Sequence, residues 1–164
     1  HVARTVTRLR ALRPDILIET LVGDFQGHMS AVDIAVDAAP DVFANNLETV
    51  RRLTPAVRDA KAGYDQTLRV LWQMKREFPS IVTKSSIMVG LGETEGELDE
   101  AMRDLRAVGV DILTLGQYLR PSAWHLPVVE WVSPERFAAY RAKLSGLLST
   151  AAKTCALEAS AAKP

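Results

Sequence analysis

Two spacings of apolar residues alternate along this chain, one of three to four residues and one that is continuous or every second residue. Val2, Val6, Leu9 and Leu12 recur at helical spacing, and Pro14 ends that stretch. Residues 16–22 form a β-branched, mostly apolar run that reads as a buried strand. The turn-rich Asp24 to Gly27 loop follows, then Val32, Ala35, Val36 and Ala39 on one helix face, with Pro40 closing it. Residues 41–46 read as the second strand and 48–53 as a short helical turn. Tyr64, Leu68, Leu71, Trp72, Lys75 and Phe78 mark a longer amphipathic helix stopped by Pro79.

The third strand spans 81–90. Thr94 stands three residues before Glu97, a capping box that starts a helix with Leu98, Met102 and Leu105 inward; Gly109 supplies its left-handed stop. Residues 110–116 are the fourth strand. Ser133 and Pro134 open a final helix burying Phe137, Tyr140, Leu144 and Leu148, and the Ala-, Ser- and Lys-rich stretch 149–164 is expected to fray. Strands alternating with helices predict right-handed βαβ units and a parallel sheet, either open or an arc of a barrel.

Twenty basic and twenty acidic residues cancel, so no global field attracts the chain to nucleic acid or anionic lipid. No apolar run is long enough to span a bilayer, which needs about 20 residues. The start at His1 shows no signal-peptide pattern and no initiator Met, so upstream sequence is expected. Cys155 is the only cysteine, and the three histidines have no metal-ligand spacing. Neither a disulfide nor a thiolate metal site is expected within the chain.

Ligands of parallel α/β folds sit at the carboxyl ends of the strands, and the polar and glycine residues gather there. Asn46 and Glu48 suit the two hydroxyls of a ribose, or Asn46 simply ends a strand. Lys84 and Ser86 alternate along the third strand, sharing a face with Val82 and Met88 and opposing Ile87 and Val89. A polar pair on an inner face suggests a lumen; a solvated strand-end lysine is the plainer reading. Gly90-x-Gly92 before a capped helix would let a ligand approach backbone N–H groups, or is a plain tight turn. Glu93 reads as a site carboxylate or as a favourable charge near the helix start. Arg120 suits a carboxylate or phosphate, or the surface. His125 has no paired Ser, Cys or Asp nearby in sequence, so a catalytic dyad is not expected. Trp72, Trp124 and Trp131 read as packing residues, with Trp124 also placed to cover a ligand at a loop mouth.

Four blocks in order, Ile18 to Phe25, Asp41 to Val50, Thr83 to Thr94 and Leu113 to Pro121, resemble consecutive blocks of lipoyl synthase, a radical S-adenosylmethionine enzyme family. The resemblance runs from His1 to about Leu148 and covers the carboxy-terminal part of the family only. It implies an α/β fold that is the carboxy-terminal arc of a partial (βα)6 TIM-type barrel with parallel strands. Residues 1–148 would supply about four βα units and 149–164 the tail. The implied activity is insertion of two sulfur atoms at C6 and C8 of an octanoyl chain carried on a lysine. The implied cofactors are S-adenosylmethionine and two 4Fe-4S clusters, one to cleave the S-adenosylmethionine and one to give up sulfur. The implied partners are octanoylated lipoyl-carrier domains, namely glycine cleavage H protein and the E2 component of 2-oxoacid dehydrogenases. The implied location is the mitochondrial matrix in a eukaryote or the cytoplasm in a bacterium.

Carried over by the resemblance, Asn46 and Glu48 lie near the S-adenosylmethionine. Lys84, Ser86, Met88, Gly90 and Glu93 flank it, and Gln117, Tyr118 and Arg120 stand near cofactor and acyl chain. No residue here is assigned a catalytic or metal-binding role. The family's Cys-x3-Cys-x2-Cys and auxiliary cysteine sets are absent, as is its terminal Arg-Ser-Ser-Tyr. Asn45 replaces a common His, Gly23 a common Pro, and Ala123-Trp124 an Arg-His pair. The chain is therefore expected to be inactive alone; a catalytically dead module binding S-adenosylmethionine or a lipoyl-carrier protein is the alternative. A plain open-sheet nucleotide-binding protein fits the ordered blocks poorly.

Overall fold

The computed structural model describes residues 1–147, with side chains described through Leu144. Leu148, the expected tail and Cys155 lie outside the described residues. The elements in order are α1 (Val2–Leu12), β1 (Glu19–Leu21), α2 (Met29–Val36), β2 (Val42–Ala44), α3 (Thr54–Val57), α4 (Tyr64–Glu77), β3 (Val82–Val89), α5 (Glu95–Ala107), β4 (Ile112–Gln117) and α6 (Pro134–Leu147). The four strands are parallel and lie in the order β1-β2-β3-β4.

The covered face decides between open sheet and barrel arc. Phe43, Ile87, Val89, Leu113 and Leu115 are buried under α2, α4, α5 and α6 through Val36, Val70, Leu71, Met74, Leu98, Met102, Leu105, Tyr140 and Leu144. The other face carries Glu19, Leu21, Lys84, Ser86 and Met88, and burial along β3 alternates strictly between the two. A doubly wound sheet reverses its strand order and takes helices on both faces. Here the order is monotonic and the helices lie on one side. The fold is an arc of a partial TIM-type barrel.

That one-sided cover corrects several expectations. The first strand is three residues long rather than seven, and Leu17 and Leu21 are exposed. Ile16 belongs to a turn that bonds back to Arg13, and Leu21 faces the uncovered side. In α1 only Val6 is buried; Leu9 and Leu12 are exposed. The helical turn expected at 48–53 falls later, in α3, because Glu48 takes a left-handed backbone (φ 70°) and Pro55 starts the helix. Trp72 is half-exposed and stacks with Arg76 at 4.4 Å, while Trp131 is exposed. The indoles do not pack the core.

At the amino ends of the strands two aspartates do the same job. Asp41 accepts the N–H of Ile18 at 2.8 Å and pairs with Arg10 of α1 at 2.8 Å. Asp111 accepts the N–H of Thr83 at 2.8 Å and pairs with Lys75 of α4 at 2.7 Å. Each carboxylate staples the start of one strand to the chain before its neighbour and to a helix.

Among the described residues nothing pairs with the outer edges of β1 and β4, and an unpaired edge invites another strand. The 164-residue chain is expected to run as an oligomer or to precipitate. Size-exclusion chromatography with light scattering checks this; a monodisperse monomer contradicts it.

Candidate functional site

The carboxyl ends of β2, β3 and β4 are built around one glycine turn. Gly90 has φ of 100°, and a Cβ there would stand 2.4 Å from the Glu130 carbonyl and 2.5 Å from Gln117 Nε2. Only glycine fits. Glu93 folds back over the turn, accepting the N–H of Gly90 at 2.6 Å and of Leu91 at 2.9 Å. Those two backbone donors are thus used internally. Gly90-x-Gly92 is a braced turn rather than an open anion cradle, and Glu93 shapes it.

Arg52 ties the turn to α5. It donates to the Gly92 carbonyl at 2.9 Å and grips Glu97 at 2.6 and 3.0 Å. Thr94 and Glu97 complete the expected capping box. The Arg52 guanidinium, with the Thr94 N–H, lowers the Glu97 carboxyl to about 2. A depressed carboxyl contributes stability above its unfolded value, about 4.3, and loses it as pH falls towards the folded value. Glu97→Gln is expected to cost about 1 kcal/mol at neutral pH, since Arg52 is largely exposed. It should also flatten the pH dependence of urea unfolding between pH 4.5 and 2. An unchanged acid limb would contradict this.

Gln117 continues the bracing. Its Nε2 donates to the carbonyls of Val89, Tyr118 and Glu130 at 3.3, 3.1 and 3.0 Å, and its Oε1 accepts the Val132 N–H at 2.8 Å. With both of its N–H groups shared among three carbonyls and its oxygen bonded to Val132, and by alternation on the helix side of β4, Gln117 holds the loop after β4 rather than facing the lumen. Arg120 is similarly occupied: it donates to the carbonyls of His125, at 2.9 Å, and Ala123. Its charge shapes the 121–126 loop.

Lys84, Ser86 and Met88 share the uncovered face of β3, and the chain after Asn46 runs against that strand at Glu48. Glu48 pairs with Ile87 as an isolated parallel bridge, its N–H bonded to Ser86 O at 2.9 Å and its carbonyl accepting Met88 N at 2.8 Å. Those bonds hold its left-handed backbone in place, a strained conformation of the kind that gathers at ligand sites. Its carboxylate has no hydrogen bond or ion pair among the described residues. Lys84, on the same uncovered face, is bound by Glu19 at 2.8 and 3.0 Å across the small Ala44. It is a paired lumen lysine, not a solvated strand end.

Sequence reasoning missed two features. Glu19 lay within a run read as buried strand, and only its partnership across the sheet reveals it. Ser122 Oγ lies 2.9 Å from His125 Nδ1, the pair that the sequence reading did not expect although only two residues intervene. Beside it Met88, Leu91, Tyr118, Leu119, Trp124, His125 and Leu126, with Ala56 and Val57 opposite, line a pocket of about 330 Å³. Tyr118 is buried and donates to the Leu126 carbonyl at 2.9 Å. Trp124 lines the pocket yet is 96% exposed, so it stands at a mouth and does not pack. Among the described residues no cluster of three or more His, Cys, Asp or Glu is placed to hold a metal, and no helix is long and apolar enough to cross a membrane.

No family model matches the chain. It is 74% identical over 141 residues to the lipoyl synthase of Anaeromyxobacter dehalogenans, covering 86% of this chain and 48% of that protein. It is 59% identical over 142 residues to the lipoyl synthase of Thermus thermophilus, covering 87% and 44%. The chloroplastic lipoyl synthase of Arabidopsis thaliana is 56% identical over 137 residues, covering 84% and 35%. The chain thus spans about half or less of these relatives and matches their carboxy-terminal part. The plant relatives are chloroplastic, where a mitochondrial location was expected for a eukaryotic source. Among solved structures it resembles the radical S-adenosylmethionine methyltransferase TsrM of Kitasatospora setae, solved with cobalamin and a [4Fe-4S] cluster. The TM-score is 0.52 at 18% identity, covering 72% of this chain and 24% of that one, a likeness of fold.

Proposed function

We propose, on the premise that this chain belongs to the lipoyl synthase family as the carboxy-terminal part of such a protein, that its rim is the S-adenosylmethionine half of that active site. The observation that carries the reading is the Glu48 carboxylate, unpartnered among the described residues and two positions after Asn46, on a strained backbone fixed to β3. Carboxylate and amide together accept and donate to the two hydroxyls of a ribose. Ser86 and Met88 line the same face, and the Glu19-paired Lys84 sets its charge. Gly90, Glu93 and Gln117 position these groups by bracing the turn, and Tyr118 and Arg120 shape the loop that closes over it.

The whole protein's activity would be sulfur insertion at C6 and C8 of an octanoyl chain on a lysine of a carrier domain, glycine cleavage H protein or a 2-oxoacid dehydrogenase E2. S-adenosylmethionine with iron–sulfur clusters supplies the hydrogen-abstracting chemistry there; the residues here bind, orient and exclude water. Such clusters are held by sets of cysteine thiolates, of which Cys-x3-Cys-x2-Cys supplies three, and this chain has one cysteine. It fits the adenosyl ligand and does not fit the clusters, so it is expected to bind without turning over.

Titration calorimetry of the chain with S-adenosylmethionine tests the rim. Binding at or below millimolar ligand is expected, with Glu48→Ala weakening it about tenfold or more, the worth of one hydrogen bond to a charged group. No heat at millimolar ligand overturns the reading.

A further inference from the structure

We infer that Asp24 and Asn45, just past the carboxyl ends of β1 and β2, hold a monovalent alkali cation that ties the two strand ends together. Asp24 is the one buried acidic residue among those described, 6% exposed, and Asn45 is 1% exposed. Each keeps one oxygen, Asp24 Oδ2 and Asn45 Oδ1, with no hydrogen-bond partner among the described residues. The β1–β2 ladder runs on to these residues, since the Val22 N–H donates to the Ala44 carbonyl at 3.0 Å. The Asn45 amide nitrogen then donates to the Val22 carbonyl at 3.3 Å. A carbonyl only accepts, so this bond fixes which end of the amide faces Val22 and leaves Oδ1 as the free end. Two residues beyond Val22, Asp24 Oδ1 accepts the Gln26 N–H at 3.3 Å, and left-handed backbone at Phe25, Gln26 and Gly27 turns the chain back.

Charge decides what joins the two oxygens. A buried carboxylate is costly unless it is paired or coordinates a cation. Asp24 has no ion pair with Lys, Arg or His among the described residues, and its one hydrogen bond is to a neutral N–H. A water donating to both oxygens would satisfy their lone pairs and leave the charge uncompensated. Hard cations take carboxylate and amide oxygens as ligands, and their affinity follows the number of charged ligands. One carboxylate with a neutral amide oxygen matches a single positive charge. A divalent ion draws on several carboxylates, and no cluster of three acidic groups stands among the described residues. The bound ion would fix the loop after β1 to the residue before Asn46.

Thermal melts at pH 8 in about 100 mM potassium or sodium chloride, against choline chloride at equal ionic strength, test the site. One of the two alkali ions is expected to raise the melting temperature by about 5 °C. Equilibrium dialysis of the same chain with rubidium should find about one ion bound per chain. Asp24→Asn should lose the ion response and melt above the native chain in choline, because its amide donates to Asn45 Oδ1 and carries no charge. Asn45→Asp, with a second carboxylate, should move the response from the alkali ions to calcium. Identical melts in all three salts, or an ion response retained by Asp24→Asn, overturns the assignment. So does a melt that moves with pH and not with the ion, which points to a proton shared by the two side chains. Should the variants fail to fold, absence of rubidium binding by the native chain overturns it alone.

Discussion

Gly90→Ala is expected to destabilise the chain by about 4 kcal/mol, the largest effect of any single methyl group added at the site. Two costs add. A residue with a Cβ resists the left-handed backbone of this turn by about 1–2 kcal/mol. The new carbon would also meet the Glu130 carbonyl at 2.4 Å and the Gln117 amide at 2.5 Å, and that backbone cannot retreat without breaking the Gln117 clamp. Overpacking of this sort adds about 1–3 kcal/mol. A drop in melting temperature of roughly 10 °C follows. The other glycines supply an internal scale. Gly92→Ala carries the backbone cost without the clash, since its nearest neighbour is Val129 at 3.6 Å, and should lose about 1–2 kcal/mol. Gly23→Ala meets nothing within 4 Å and should be near neutral. Thermal melts of the three variants check the ranking; a Gly90 variant as stable as the Gly23 variant would remove the turn from its central position.

Asp111→Ala is expected to cost about 3 kcal/mol, although the residue is far from any ligand. One oxygen accepts from Lys75 Nζ, from the Thr83 N–H and, at 3.1 Å, from the Thr83 hydroxyl. Removal leaves a fully buried residue, Thr83, with its amide unsatisfied, a penalty of about 1–3 kcal/mol, and strips Lys75 of its partner. Asp111→Asn keeps an acceptor and should lose about half as much. Urea unfolding measures the totals, and faster exchange of the Thr83 amide locates the damage. A protected Thr83 amide in the alanine variant would show that the staple is not what holds β3 and β4 in register.

The parallel staple at Asp41 adds a pH signature. The Ile18 N–H and then Arg10 hold its carboxyl below the usual range. Its contribution is present above the unfolded value and is lost as the medium is acidified below it. The same acid limb therefore carries both Glu97 and Asp41.

Most of the element order was legible because the two periods are distinct here. The Thr94–Glu97 cap, the Gly109 stop and the opposition of Lys84 and Ser86 to Ile87 and Val89 follow from local geometry alone. What the periodicity did not carry was which strands have a covered inner face. Residues 16–22 look like a strand buried on both sides, yet Leu21 borders the lumen. The site divides in the same way. Lys84, Ser86 and Met88 share the uncovered face of β3 because strand alternation places them there, and the Glu48 bridge lays the chain after Asn46 against the carboxyl half of that strand. Glu93, Gln117 and Arg120 sit at the same rim but spend their polar atoms on the backbone, a difference set by which carbonyls lie within reach. Ser122 and His125 were legible in principle at a spacing of three, had the loop been considered as a turn.

The ladders joining the strands are unequal in length. β3 and β4 pair over six residues and rest on the larger apolar cluster, whereas β1 and β2 pair over three and rest on the smaller. Such a sheet opens piecewise. The stretch before Asp41 should exchange its amides and admit proteases while the remainder stays shut, so limited digestion ought to release a resistant core beginning near β2.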